Sequence, residues 1–209
     1  MTKNKILRMN PYKKALTHLK KDIVLHKVIT SSTKEIKPSL EFDIYHFLLE
    51  SIVSQQLSVK VADIIFARFL DLFPDRYPTA KALITIEDDI LRNAGLSYRK
   101  ASYLKNVAEF SLKNNMDFEF LQQKTDAEFI DYLIEIKGVG KWTIQMILMF
   151  PMDRPDVFPV DDLGIQNNMK AIYGLTTEKK ILKAEMTKIA ENWTPYKTLA
   201  CKYVWGFTK

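Results

Sequence analysis

Several residue patterns that define particular protein classes are missing from this 209-residue sequence. The single cysteine, Cys201, excludes an intrachain disulfide, a cysteine-based zinc site and an iron–sulfur cluster on cysteine ligands. The histidines, His18, His26 and His46, lack metal-ligand spacing. No segment has the roughly 18 apolar residues of a membrane span, and the polar stretch Met1–Asn10 does not resemble a signal peptide. We therefore expect a reducing, cytoplasmic location and no membrane partner.

Glycine and proline are also scarce, with 6 and 8 residues, which argues against disordered and fibrous classes. The 31 lysines and arginines exceed the 25 acidic residues, giving a net charge of +6. This excess suits an anionic partner such as nucleic acid but does not require one. No run alternates with period two for long enough to predict a strand, so we predict an all-α fold.

Capping residues predict where the helices begin and end. The predicted start signals are Asn10-Pro11, Asp43, Ser58, Thr79, Thr85 with Asp88, Ser97 and Thr125 with Glu128, and the predicted stops are Gly95 and Gly174. We expect residues 1–209 to form one functional unit with two helical lobes and a cleft between them. The central lobe would span about residues 50–150, and the second about 1–45 plus 160–209.

The most informative stretch is Leu133–Gln166, in which a glycine turn, Lys137–Gly140, separates two apolar helical segments. The amides at a helix N-terminus can hold a phosphate, and glycines allow a DNA backbone to approach. The alternative is an ordinary turn between helices. A Pro-rich link follows and leads to the adjacent carboxylates Asp161 and Asp162.

Four segments carry a family resemblance: IKGVGKWTIQMILM, VFPVDDLGIQ, SIVSQQLSVKVADIIFARF and AGLSYRKASYLKNVAEF. Together they resemble the helix-hairpin-helix DNA glycosylase superfamily, and more narrowly its alkylation-repair branch, 3-methyladenine DNA glycosylase II. The likeness spans roughly Ser51 to Trp205. It implies an all-α two-lobed protein that binds double-stranded DNA through the hairpin, extrudes a damaged base and hydrolyses its N-glycosidic bond. The alternatives are a non-catalytic helix-hairpin-helix DNA-binding module and an α-helical scaffold for protein partners.

The family signature assigns the catalytic role to Asp162. Cleavage of an N-glycosidic bond builds positive charge on the deoxyribose, and a fixed carboxylate stabilises that charge. Asp161 would then cap the following helix or hold local structure. A cationic alkylated purine leaves without a second acidic group to protonate it.

The resemblance also places residues around the base. Members that cleave the DNA strand have a lysine where Trp142 stands, so we expect hydrolysis without lyase activity. Trp142 would stack on the extruded base, unless it packs in the core. Tyr196 is expected to contribute to the base pocket, and Met146 and Leu163 stand where some relatives have aromatic residues. We assign Trp193 and Trp205 to the core.

The remaining site residues concern DNA. Gln56, or else Gln55, is expected to wedge into the gap that the base leaves. We expect Gly138, Val139 and Gly140 to approach the phosphates, and Lys137, Lys141, Arg99 and Lys100 to contact them. The carbonyls of Ile134, Ile136 and Val139 match those that hold Na⁺ or K⁺ in relatives. We expect no other cofactor, a monomer, and a location at the nucleoid in a bacterium or in the nucleus of a eukaryote.

Overall fold

A computed structural model of the protein describes residues 12–33, 36–37 and 43–207. The helix start expected at Asn10-Pro11 lies outside these residues. Within them all regular structure is helical, which confirms the predicted all-α class. The helices are α1 (Lys13–Leu19), α2 (Ile23–Ser31), α3 (Ile44–Ser54), α4 (Val59–Leu70), α5 (Ala80–Thr85), α6 (Asp88–Asn93), α7 (Tyr98–Lys113), α8 (Phe118–Leu121), α9 (Asp126–Leu133), α10 (Lys141–Met149), α11 (Leu163–Tyr173), α12 (Lys179–Glu191) and α13 (Lys197–Trp205). None of these described helices has the length and hydrophobicity to cross a membrane.

The chain divides into two compact units. The N/C unit lies within Met1–Pro38 and Arg154–Lys209, and the central unit lies within Ser39–Asp153. The N/C unit contains α1, α2 and α11 to α13, whereas the central unit contains α3 to α10. The predicted glycine turn is therefore in the central unit, and Asp162 is in the N/C unit.

Side-chain caps begin several helices where the sequence predicts them. Asp43 accepts a hydrogen bond from His46 N at the start of α3, and Ser97 accepts one from Lys100 N at the start of α7. Thr125 and Glu128 form the predicted capping box before α9. Each cap satisfies an amide that has no partner within its own helix.

One predicted cap begins its helix without a side-chain bond, and another is wrong. Ser58 occupies the N-cap position of α4, but its side chain makes no capping hydrogen bond. Thr85 does not start a helix, because it is the last residue of α5 and its hydroxyl donates back to the carbonyls of Lys81 and Ala82. The next helix, α6, begins after Glu87 instead. A threonine hydroxyl can bond either way along the chain, so the sequence pattern alone does not decide between start and end.

Each unit has its own core. In the central unit, α7 packs against α3 and α5. In the N/C unit, α11 packs against α12, α13 and α2. Asp22 links these elements, because its Oδ2 accepts hydrogen bonds from the Tyr173 hydroxyl at 2.7 Å and from Trp193 Nε1 at 3.1 Å. Trp193 is fully buried, as the sequence predicts.

Candidate active site

The glycine turn joins α9 to α10 and uses its two glycines differently. Gly138 has φ of +105°, in the left-handed region, and a Cβ there would lie 2.2 Å from Tyr103 Cγ. Only glycine fits this position without strain or clash. Gly140 has extended backbone at the N-cap of α10, and no atom lies within 4 Å of where its Cβ would be. Gly138 is therefore required by the fold, whereas Gly140 leaves open space at a helix N-terminus.

Side chains from the corner after α3 and from α7 hold the turn from the side. Gln55 Nε2 donates to the Gly138 carbonyl at 3.3 Å, and Asn106 Nδ2 donates to the Lys137 carbonyl at 2.9 Å. Within the turn, Val139 N donates to the Ile136 carbonyl at 2.9 Å. These bonds fix the backbone before any ligand binds.

The corner after α3 separates its two glutamines. Gln55 is half-buried and contacts the turn, whereas Gln56 is exposed and has φ of +59°. A non-glycine residue with positive φ is uncommon, and such strain is concentrated at functional sites. The favoured wedge residue, Gln56, is thus the one whose side chain is open to a partner, and the wedge role itself stays a prediction.

An open pocket of about 810 Å³ lies beside this corner, entirely within the central unit. Trp142, Met146, Phe47 and Phe150 contribute its apolar surface, and Gly138, Gly140 and Gln55 are also in its wall. Trp142 is 40% exposed, so the alternative that it packs in the core is wrong. Met146 is buried beneath the pocket surface. The rest of the lining is largely polar, with Glu50, Ser51, Ser54, Gln56 and Thr143. A pocket that combines aromatic rings with hydrogen-bonding groups suits a planar polar ligand such as a base.

The capping residue of α11 is not the one that the sequence predicts. Asp162, not Asp161, is the N-cap of α11, because Asp162 Oδ1 accepts a hydrogen bond from Ile165 N at 2.8 Å. Asp161 instead forms an exposed ion pair with Lys183 at 2.5 Å, which matches the predicted structural alternative. An Asp directly before the first helical residue has the geometry to reach the third amide, whereas one residue earlier does not.

Asp162 is only 9% exposed, and a second donor holds it. Trp205 Nε1 donates to the same Oδ1 at 2.8 Å, across 43 residues of sequence. The expected role of Trp205 in the core is therefore wrong: this side chain is half-buried, and its N–H reaches the carboxylate. The signal that could have identified it is general, since a partly buried indole N–H needs an acceptor.

Cys201 lies one helical turn before Trp205 on α13 and is fully buried. Burial, with a further contribution from the Asp162 carboxylate, raises the pKa of the Cys201 thiol. The thiol therefore stays protonated and unreactive. The Asp162 carboxylate is therefore close enough to act electrostatically on Cys201.

The other predicted base contacts belong to the N/C unit. Tyr196 is half-buried at the N-cap of α13, with its ring edge-on to His18 at 5.5 Å between centroids. Leu163 opens α11 and is 72% exposed. Neither residue lines the pocket around Trp142.

Three of the four predicted phosphate contacts are exposed: Lys137, Lys141 and Arg99. Lys100 differs, because its Nζ donates to the Val53 carbonyl at 2.7 Å near the end of α3. Burial, followed by the nearby Arg99 charge, lowers the pKa of Lys100. Instead of the predicted phosphate contact, Lys100 binds the protein's own backbone and stabilises a helix C-terminus.

The predicted cation ligands are backbone carbonyl oxygens rather than side chains. Among the residues described, no group of His, Cys, Asp or Glu could hold a metal ion. The carbonyls of Ile134 and Ile136 precede the turn and that of Val139 lies in it, and backbone carbonyls of this kind can bind monovalent cations. Ile136 O already accepts one hydrogen bond, from Val139 N, and a carbonyl has a second lone pair.

Comparison with known proteins relates this geometry to characterised relatives. Residues 49–195 match the family described as HhH-GPD superfamily base excision DNA repair protein. The chain is 34% identical over 167 residues to DNA-3-methyladenine glycosylase 1 of Schizosaccharomyces pombe, covering 79% of this chain and 72% of that protein. It is 30% identical over 172 residues to a longer Bacillus subtilis relative, of which it spans 59%.

A solved structure also matches. The 3-methyladenine DNA glycosylase of Schizosaccharomyces pombe, in complex with abasic DNA, superimposes with a TM-score of 0.81 at 30% identity. The match covers 94% of this chain and all of that one (100%).

Proposed function

Because the chain belongs to the HhH-GPD superfamily of base excision DNA repair proteins, we propose that it is a DNA glycosylase that removes alkylated purines from double-stranded DNA. The substrates would be of the 3-methyladenine and 7-methylguanine type, in keeping with the name of its 34%-identical relative. The observation that carries the proposal is the Asp162 carboxylate, which is buried and has Oδ1 held by two donors. A carboxylate fixed in this way is preorganised for a developing positive charge.

The proposed reaction, hydrolysis of the N-glycosidic bond, depends on the Asp162 carboxylate. The bond between C1′ and the base nitrogen breaks, and its electron pair leaves with the base, which neutralises a cationic alkylated purine. Positive charge develops on the deoxyribose and is stabilised by the Asp162 carboxylate. Water then adds to C1′ and gives up a proton to the carboxylate or to solvent. No protonation of the leaving base is needed.

The central unit would bind the DNA. The N-terminus of α10 and the open space at Gly140 suit a phosphate, and Lys137 and Lys141 add positive charge beside it. The base is extruded, because the bond to be cut is inaccessible inside a duplex. Gln56 would enter the gap, and Trp142 would stack on the cationic base with a gain of roughly 0.5–2 kcal/mol.

We further propose that the enzyme is monofunctional. Trp142 stands where strand-cleaving relatives have a lysine, and an indole cannot form a Schiff base with the sugar. Incubation with abasic DNA and borohydride should therefore give no covalent complex. A trapped complex would contradict this part of the proposal.

A monovalent cation at the carbonyls of Ile134, Ile136 and Val139 is also proposed, as an aid to phosphate binding. Its absence would be shown by DNA affinity that does not change when K⁺ and Na⁺ are replaced by a bulky organic cation at equal ionic strength. The protein should act as a monomer, which equilibrium sedimentation would test. In the cell it should be found where the DNA is.

The main test is release of free bases from methylated duplex DNA, measured by chromatography for the wild type and for Asp162→Asn. We expect 3-methyladenine and 7-methylguanine from the wild type and almost none from the variant. If the wild type binds DNA but frees no base from a panel of lesions, the chain is a DNA-binding module instead. If Asp161→Asn abolishes release and Asp162→Asn does not, the catalytic assignment is wrong.

A further inference from the structure

The two hydrogen bonds to Asp162 Oδ1 have different origins. The bond from Ile165 N at 2.8 Å is the one that any N-cap aspartate makes with its own helix. The bond from Trp205 Nε1, also 2.8 Å, comes from a different helix. A single bond leaves a carboxylate able to turn about it, whereas two donors from different directions define the plane of the group. The second donor is thus more than the α11 cap requires.

Gly164 leaves the space in which this second bond forms. A Cβ at position 164 would lie 3.1 Å from Asp162 Oδ1, 3.1 Å from Trp205 Cδ1 and 3.2 Å from Trp205 Nε1. These separations are closer than ordinary carbon contacts, so an alanine would push the indole and the carboxylate apart. Gly164 does not have a positive φ, so the space, rather than the backbone conformation, accounts for a glycine here.

The end of α13 that carries Trp205 is itself fastened to α11. Asn168 Nδ2 donates to the Val204 carbonyl at 2.8 Å and to the Phe207 carbonyl at 3.3 Å. At the other end of α13, Thr198 N donates to the Pro155 carbonyl at 3.0 Å, and Val157 N donates to the Thr198 hydroxyl at 3.0 Å. Both ends of the helix are therefore held, and the indole is presented to Asp162 from a rigid element.

We propose that Trp205 is a positioning residue for Asp162. The absence of a side chain at Gly164 leaves the space in which the indole N–H reaches the carboxylate. This inference rests on the proposed glycosylase function. Trp205 orients the carboxylate that stabilises the sugar cation, so its loss slows bond cleavage and leaves DNA binding unchanged. A donor to an ionised group contributes more than a neutral hydrogen bond, and its removal should cost about 10- to 100-fold in rate.

The test compares Trp205→Phe, which keeps most of the ring but lacks the N–H, with the wild type under single-turnover conditions. The substrate is duplex DNA with one 7-methylguanine, and affinity is measured separately on duplex DNA with a stable abasic analogue. We expect a rate lowered by about 10- to 100-fold and an affinity within about twofold. Gly164→Ala should lower the rate in the same way. Gly206→Ala, at the end of α13, should not, because its added Cβ would meet only ordinary contacts of 3.5 and 3.6 Å.

A double variant shows whether Trp205 acts through Asp162. In the Asp162→Asn background, Trp205→Phe should add little further loss, because the charge that it orients is already gone. Losses that multiply in the double variant would instead assign Trp205 to direct contact with the base or sugar and overturn the proposal. The proposal would also be overturned if Trp205→Phe released the base at the wild-type rate while Asp162→Asn was inactive.

A measurement independent of activity tests the bond itself. The indole N–H proton of Trp205, identified by its loss in Trp205→Phe, should shift in the NMR spectrum of both Gly164→Ala and Asp162→Asn. An unmoved resonance in both variants would overturn the proposal even if their activity falls. If the wild type releases no base, the proposed function fails, and the positioning role fails with it.

Discussion

Trp142 in the central unit and Asp162 in the N/C unit are exposed to very different degrees, 40% and 9%. Around Trp142 lie an open pocket and Gly140, which has no neighbour within 4 Å of a Cβ position. Asp162, in contrast, is held by donors from α11 and α13. Binding a large anion needs accessible amides and rings, whereas stabilising a transient charge needs a fixed group removed from water. Substitutions at the glycine turn of the central unit and at Asp162 of the N/C unit should therefore separate DNA affinity from the rate of base release.

The largest effect is expected from Asp162→Asn. Asparagine caps a helix about as well as aspartate, so the free energy of unfolding should change by less than about 0.5 kcal/mol. Without the negative charge, the single-turnover rate should fall by about 100- to 1,000-fold, while DNA affinity stays nearly constant. Urea unfolding, excision kinetics and DNA-binding anisotropy measure the three quantities. A variant that loses stability and activity in parallel would show that Asp162 acts as a cap alone.

The two glycines of the turn give the next contrast, within the central unit. Gly138→Ala should lower the free energy of unfolding by at least about 2 kcal/mol, because the residue has φ of +105° and its Cβ would overlap Tyr103. Gly140→Ala should cost less stability, at most about 1 kcal/mol for the poorer N-cap. It should weaken DNA binding by about 10-fold, because its methyl group would occupy the space for a phosphate. Equal DNA affinity for wild type and Gly140→Ala would show that the phosphate lies elsewhere.

Two tryptophans sharpen the comparison further. Trp142→Ala should reduce base release by about 3- to 30-fold with little change in stability, because the ring faces the pocket. Trp193→Ala, in the fully buried core of the N/C unit, should instead cost about 3–5 kcal/mol of stability. Thermal unfolding and excision rates of both variants check this. Loss of stability in Trp142→Ala to a similar extent would contradict its assignment as a ligand-facing residue.

The salt dependence of DNA affinity should distinguish Lys137 and Lys141 from Lys100. Lys137→Gln and Lys141→Gln should each reduce the slope of log affinity against log salt by about 0.9, since each removes one phosphate contact. Lys100→Gln should leave the slope unchanged and lower stability, because Lys100 Nζ binds the Val53 carbonyl. Affinity titrations at several salt concentrations provide the slopes. A reduced slope for Lys100→Gln would restore it as a phosphate contact.

The smallest effect concerns alkaline pH and a residue outside the proposed site. Burial, together with the hydrogen bond to Asp43, raises the pKa of Tyr77 to about 12, above its ordinary value of 10.0. The unfolded chain therefore loses this proton first. The stability that Tyr77 contributes is fully present below pH 10 and is lost as pH rises toward 12. Tyr77→Phe should show a shallower fall in melting temperature over this interval, and an unchanged slope would contradict the shift.

Local features of the fold could be predicted from the sequence, because they depend on residues a few positions apart. The capping box Thr125–Glu128 and the end of α11 at Gly174 are confirmed, and Gly95 has the left-handed backbone expected of it. The limits of such signals are visible at Ser58 and Ser97, which have the same residue type in the same position. Only Ser97 makes the capping bond, because a serine rotamer depends on surroundings that the local sequence does not specify.

The contacts that define the site join distant parts of the chain. Gln55 and Gly138 are 83 residues apart, Val53 and Lys100 are 47 apart, and Asp162 and Trp205 are 43 apart. Residue type and periodicity cannot indicate which of many polar groups will meet over such separations. Family resemblance indicated Asp162 and Trp142, but the donor that orients Asp162 required three-dimensional positions.

The burial of Cys201 has a practical consequence for following motion in the N/C unit. It is the only cysteine in the chain, it is fully enclosed, and its thiol is held protonated. A thiol reagent can react with it only when α13 separates from its neighbours. The labelling rate of the unmodified protein therefore measures how often α13 opens. If bound DNA slows the labelling, the helix that carries Trp205 opens less often when DNA is bound.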